Sequence, residues 1–146
     1  MKISLKSELP SLLCIAAMAI ALAFAWPASP DRIPVHWNLH GEADGYGSRF
    51  EGLALLPIGA VLIYLVLRFL PLADPRRSNY ADFQTAYDVI RHGTVAFMAV
   101  IQGLTIAVVL GAEIDMALAV STLVGIFFVA IGLLLDHAQI VLSDAC

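Results

Sequence analysis

Between Met116 and Leu135 the chain runs for twenty residues without a charged side chain. A helix of that length is about 30 Å long, the thickness of a bilayer's hydrocarbon core. Three more apolar stretches precede it, at about 9–26, 53–70 and 94–112. Inside lipid, backbone polar groups must be satisfied within the segment, which leaves helices as the economical solution for isolated runs of this kind. Sixty per cent of the 146 residues are hydrophobic and 14 % are charged, too few charges for an ordinary soluble domain. The expected fold is therefore an all-α membrane protein: one domain over 1–146, four transmembrane helices, and an extracytoplasmic loop between helices 1 and 2.

Each run carries local signals. Lys2 and Lys6 precede the first, Ala17, Ala21 and Ala25 make a small-residue stripe along it, and Trp26 closes it at interfacial height. The same features, with Ala23-Phe24-Ala25, mimic a cleavable signal peptide. Three following spans need no such leader, so a retained helix is expected. Pro57 falls in the first turn of the second span, where a missing N–H is tolerated. Arg68, near its far end, is expected to snorkel toward headgroups. Thr94, Gln102 and Thr105 of the third span are expected to hydrogen-bond a neighbouring helix or their own backbone. Glu113-Ile114-Asp115 is so short that spans three and four must form an antiparallel hairpin. A tail, 136–146, follows.

The 71–93 connection opens on Pro71 and Pro75, which end the preceding helix. Ser78 or Asn79 can cap a new one. Tyr80, Phe83, Tyr87 and Ile90 then recur on one helical face, which predicts an amphipathic helix in the membrane interface. Lysine and arginine set the orientation. Lys2, Lys6, Arg68, Arg76, Arg77 and Arg91 fall on the side of the termini and of this connection, against Arg32 and Arg49 on the other. Both termini and 71–93 are expected to be cytoplasmic, in a bacterial inner membrane, with 27–52 outside. The eight basic residues are scattered, so no nucleic-acid face is expected.

Loop 27–52 is the long polar insertion. Pro30 and Pro34 forbid a helix through their preceding residues, while Gly41, Gly45 and Gly47 favour turns. Its aromatic and branched residues argue against disorder. A structured cap, part extended and part turn, is expected on the helix ends. Asp44-Gly45 reads as a turn that needs a positive φ at Gly45. Trp37 and Tyr46 offer amphipathic contact area beside polar groups, so the ligand-binding residues expected are Pro34, His36, Trp37, Asn38, Gly41, Asp44, Gly45 and Tyr46.

Other chemistry fits less well. His36, His40, Glu42 and Asp44 are possible metal ligands, and the i, i+4 histidines would share a helical face, but Pro34 and Gly41 bracket them. Ser48 lacks the Gly-x-Ser-x-Gly context of a nucleophile. A loop of this size can hardly enclose Glu42 and Asp44 as a hydrolytic pair. Cys14 and Cys146 form no metal-type pair and no disulfide framework. Neither an enzyme nor a cofactor is expected.

The words Ile33-Pro34-Val35-His36-Trp37-Asn38 and Gly41-Glu42-Ala43-Asp44-Gly45-Tyr46-Gly47-Ser48-Arg49, with Asp74-Pro75-Arg76-Arg77-Ser78-Asn79-Tyr80, resemble a bacterial membrane domain of unknown function. That domain forms the amino-terminal part of SdpI-type immunity proteins. Residues 9 to 112 carry the resemblance. An Asn…Gly-x-Arg-Thr-Pro-Trp-Thr segment expected in full-length members has no counterpart, so the chain reads as truncated relative to them. The resemblance implies a multi-span protein that protects a producing cell from a secreted toxic peptide. It also implies, on the cytoplasmic side, capture of a soluble repressor. The expectation is thus a protein in membrane lipid that binds a secreted toxic peptide or other extracytoplasmic ligand through 27–52. The alternatives are a structural or assembly partner without catalytic activity, and a metal-binding protein using His36, His40, Glu42 and Asp44.

Overall fold

The computed structural model describes residues 5–75, 80 and 83–144, with side chains as far as Leu134. The elements are α1 (Leu5–Ala28), β1 (Arg32–Trp37), β2 (Ala43–Ser48), a π-helical turn (Phe50–Ala54), α2 (Leu55–Ala73), α3 (Gln84–Val109) and α4 (Met116–Asp144). All four α-helices are long and apolar enough to cross a membrane, the second together with its π-helical turn. The expected helix count holds. The all-α expectation gains one exception, a two-stranded antiparallel hairpin between α1 and α2.

Helix α3 is central. It packs most closely against α1, then α2, then α4. On α1 the buried positions are Glu8, Ser11, Met18 and Ala25, with Ser29 just past the end. Spacings of three, four and seven keep them on one stripe, the pattern of a helix that buries one face against the bundle. Gln102 of α3 reaches this seam and donates from Nε2 to the Met18 carbonyl at 3.2 Å. Thr94 and Thr105 donate to the carbonyls of Ile90 and Ile101, one turn back. All three polar groups are thus used as the sequence predicts. Large apolar side chains face outward along α4 as far as its side chains are described, among them Leu118, Ile126, Phe128, Val129 and Leu133, which suits a helix in contact with lipid.

Helix ends are specified locally. Gly111 has φ +99° and ends α3: Gly111 donates to the Val108 carbonyl and Ala112 to that of Ala107. These are the two bonds of a Schellman motif, which needs a left-handed residue where glycine sits. Asp115 then caps α4, its Oδ1 accepting from Leu118 N at 3.0 Å. At the other end of the bundle, α3 begins at Gln84 and continues unbroken into the third span. The expected interfacial helix is therefore collinear with α3 from that residue onward. The Tyr80 ring packs against Phe83 at a tilt and against Tyr87 edge-on, and the Tyr87 hydroxyl donates to the Leu67 carbonyl of α2. This aromatic face is turned toward the end of α2. The candidate cap residues Ser78 and Asn79, together with Arg76, Arg77 and Lys2, lie outside the described residues.

Candidate functional site

The hairpin pairs Arg32 with Ser48, Ile33 with Gly47, Pro34 with Tyr46, His36 with Gly45 and Trp37 with Ala43, with irregularities on either side of His36. Its connection, 38–42, is organised by one side chain. Asn38 Oδ1 accepts from His40 N at 2.9 Å and Glu42 N at 3.0 Å, while its Nδ2 donates to Glu42 Oε2 at 3.1 Å. Asparagine supplies both roles because its amide is donor and acceptor at once. Gly41 completes the turn at φ +78°, and a Cβ there would lie 2.7 Å from Asp115 Oδ1. The turn therefore rests on the α3–α4 connection.

The base of the hairpin is pinned by Ile33. It is fully buried and packs with Ala25 of α1 and Leu53 of the π-helical turn, with Leu22, Ile106 and Val109 around them. Gly52 makes this approach possible, since a Cβ there would stand 2.6 Å from Ile33 Cγ2. Arg49 closes the other side, with its guanidinium 2.8 Å from Asp31 and its Nε donating to the Pro30 carbonyl. The structured cap expected from the sequence is thus a hairpin clamped on the ends of several helices.

Between β1 and the bundle lies a cavity of about 580 Å³, within the range of small-ligand pockets. One wall is the run Pro34, Val35, His36, Trp37, Asn38 and Leu39. The opposite wall is Ile101 and Thr105 of α3 with Met116, Ala117, Val120 and Ser121 of α4, and Glu51, Gly52 and Leu56 complete it. The structure so divides the expected ligand residues. Pro34, His36, Trp37 and Asn38 line the cavity; Gly41, Asp44, Gly45 and Tyr46 do not.

The latter four have other work. Asp44 Oδ1 accepts from His36 Nδ1 at 2.6 Å. Tyr46 is exposed, with the Arg32 guanidinium 5.8 Å from its ring centre. Gly45 does not have the positive φ expected of it; among the described residues only Gly41 and Gly111 do. Its need for glycine is a cross-strand one, because a Cβ would stand 2.8 Å from His36 Cβ. The paired histidines of the metal alternative are not on a helix: His36 is in β1 and His40 in the turn. Among the described residues no three of His, Cys, Asp and Glu are grouped to hold an ion.

A second polar centre lies in the half of the bundle away from the hairpin. Glu8 of α1 is buried, with its Oε1 3.2 Å from Arg68 Nε of α2 and 3.3 Å from Arg91 Nη2 of α3. Its Oε2 accepts from the Tyr64 hydroxyl at 3.0 Å. Asp88 adds a second carboxylate at 2.9 Å from Arg91 Nη2, and Ser11 Oγ lies 2.7 Å from His92 Nδ1. This corrects the expectation for Arg68. Its side chain does not snorkel outward; it turns inward, since α1 offers Glu8 at that level. One carboxylate thereby ties three helices together. Nη1 of Arg68 and Nε and Nη1 of Arg91 remain buried without a hydrogen-bond partner. Sequence reasoning missed Glu8, Tyr64, Asp88 and His92. The available signal was an acid in the first apolar helix and a lone arginine in the second, since charges in such segments usually face the bundle interior and pair.

Residues 12–71, most of α1, the hairpin and most of α2, match the family described as a domain of unknown function, DUF1648. No curated protein and no solved structure matches the chain.

Proposed function

We propose that this protein is a multi-pass membrane receptor whose hairpin and helix ends together bind an amphipathic ligand secreted outside the cell. The cavity of about 580 Å³ beneath β1 carries this reading. Its α3 and α4 wall is mostly apolar, and its β1 wall bears the Trp37 indole, the Asn38 amide and the His36 ring, the mix that orients a ligand with one apolar side. The resemblance to SdpI-type immunity proteins supports a secreted toxic peptide as that ligand. It also supports a bacterial inner membrane with both termini cytoplasmic. Capture of a soluble repressor on the cytoplasmic side belongs to the same resemblance and has no independent support in the fold.

The test uses the two tryptophans. In a Trp26→Phe background Trp37 is the sole tryptophan, excited selectively over the tyrosines at the red edge of the absorption band. Reconstituted in nanodiscs, this protein should show a blue shift and saturable quenching when titrated with the peptide fraction of a culture medium. Val120→Phe narrows the cavity from the α4 side and should abolish the saturable change, as Trp37→Ala should abolish growth protection in cells challenged with the same fraction. Unaltered titration in Val120→Phe would place the ligand elsewhere. In the metal alternative, loss at both His36→Ala and His40→Ala with chelator sensitivity is expected instead.

A further inference from the structure

The cavity wall on the hairpin side is not one face of β1. A strand shows alternate residues to each of its faces, yet all four residues from Pro34 to Trp37 border the cavity, continued by Asn38 and Leu39 of the turn. A space lined by every successive residue lies along the strand's edge. Among the described residues β1 is paired on one side only, by β2, so its other edge is free. Free strand edges carry unpaired N–H and C=O groups and take up extended peptides by adding a strand. A lipid chain would fill the apolar volume and leave those backbone groups unused.

Charge at this end of the bundle points the same way. Arg49 is engaged by Asp31 and Arg32 lies over the Tyr46 ring. Glu42, Glu51, Glu113 and Asp115 have no lysine or arginine in an ion pair among the described residues, and Asp44 has only His36. Glu51 itself borders the cavity, and Asp115 stands beside Met116, which does. A low-dielectric space with a rim of one sign attracts partners of the other.

We infer that the ligand of this site is a basic peptide bound extended along the free edge of β1, with its apolar side chains in the cavity beneath Trp37. This rests on the receptor reading above and specifies its ligand. The occupant must offer backbone N–H and C=O groups to β1, lysine or arginine to the acidic rim, and apolar side chains at alternate positions toward Leu56, Ile101 and Val120.

The probes are synthetic ten-residue peptides alternating leucine with lysine, with glutamine or with glutamate, and a lysine peptide N-methylated at alternate residues. They are titrated against Trp37 fluorescence of the Trp26→Phe protein in phosphatidylcholine nanodiscs, whose uncharged surface does not itself select cations. The lysine peptide should bind at least tenfold more tightly than the glutamate peptide. That gap should close in high salt and narrow in Glu42→Lys/Glu113→Lys, and N-methylation on one register should weaken binding tenfold or more. Equal binding of the three charge types, or indifference to N-methylation on either register, overturns this inference and leaves the receptor reading standing. Absence of a saturable change with every synthetic peptide overturns this inference alone, and silence of the same Trp26→Phe protein toward the secreted fraction removes the receptor reading with it.

Discussion

Glu8 is the residue on which the packing of α1 most depends. It meets two guanidinium groups and a phenol from two other helices, in a place where both arginines are buried. Removing one partner from a buried charge pair typically costs about 3–5 kcal/mol, because the remaining charge keeps its desolvation penalty and loses its compensation. Glu8→Gln should lower stability in detergent by that order, measured by chemical unfolding. The loss should be unequal between the arginines, since Arg91 retains Asp88 and Arg68 retains only the Glu8 position. Glu8→Gln/Arg68→Leu should therefore recover part of the stability, whereas Glu8→Gln/Arg91→Leu should recover less and leave Asp88 without its partner. Full additivity in both double variants would show that the carboxylate acts on neither arginine. A membrane-embedded glutamate within reach of two arginines could have been found in the sequence by asking which acid answers Arg68. The sequence does not say at what height α1 passes α2, and that height decides between pairing and snorkelling.

At the scale of elements, the hairpin shows how much of the site was legible. Prolines 30 and 34, the close spacing of Gly41, Gly45 and Gly47 and the aromatic and branched residues among them announced an ordered, turn-rich cap, and the cap formed. The strands themselves were not read, because β1 and β2 lack clean apolar alternation: Val35 and His36 are both exposed and β2 carries four polar or glycine positions in six, Asp44, Gly45, Gly47 and Ser48. Two-stranded hairpins are marginal alone; here Ile33 docked against Ala25 and Leu53 holds the pair in place, a contact between residues far apart in sequence. The glycine roles likewise depended on neighbours not visible locally. Gly45→Val should disrupt the cap through crowding against His36, and Gly41→Val through both its left-handed φ and its contact with Asp115. A left-handed non-glycine residue costs roughly 1–2 kcal/mol, so Gly41→Val should raise amide exchange across 38–42 and also at the start of α4, where Asp115 caps. Gly41→Asn, which tolerates that φ, should separate the two effects: it relieves the backbone strain and keeps the clash. If exchange in α4 is unchanged in Gly41→Val, the hairpin turn does not brace the α3–α4 connection.

For the whole molecule, the two polar centres stand at opposite ends of α1, α2 and α3, the hairpin cavity at one and the Glu8–Arg68–Arg91 cluster at the other. Helix α3 contributes to both, with Ile101 and Thr105 at the cavity and Arg91 at the cluster. Four helices with a short α3–α4 turn put the hairpin and that turn on the same side of a bilayer, and the 71–83 connection on the other. The proposal that the cluster end faces the cytoplasm rests on charge: basic residues concentrate in the sequence segments at that end, and acidic side chains exceed basic ones at the hairpin end. In a background with Cys14 and Cys146 replaced, a single cysteine at Ser48 should react with an impermeant thiol reagent in intact cells. A cysteine at Ser78 should react only after permeabilisation. The receptor reading requires this outcome, because a secreted peptide can reach β1 only if Ser48, four residues before Gly52 on the same hairpin, is accessible from outside. The reverse pattern would place the cavity on the cytoplasmic face, where an extracytoplasmic ligand has no access to it, while the fold and the Glu8 cluster would stand as described.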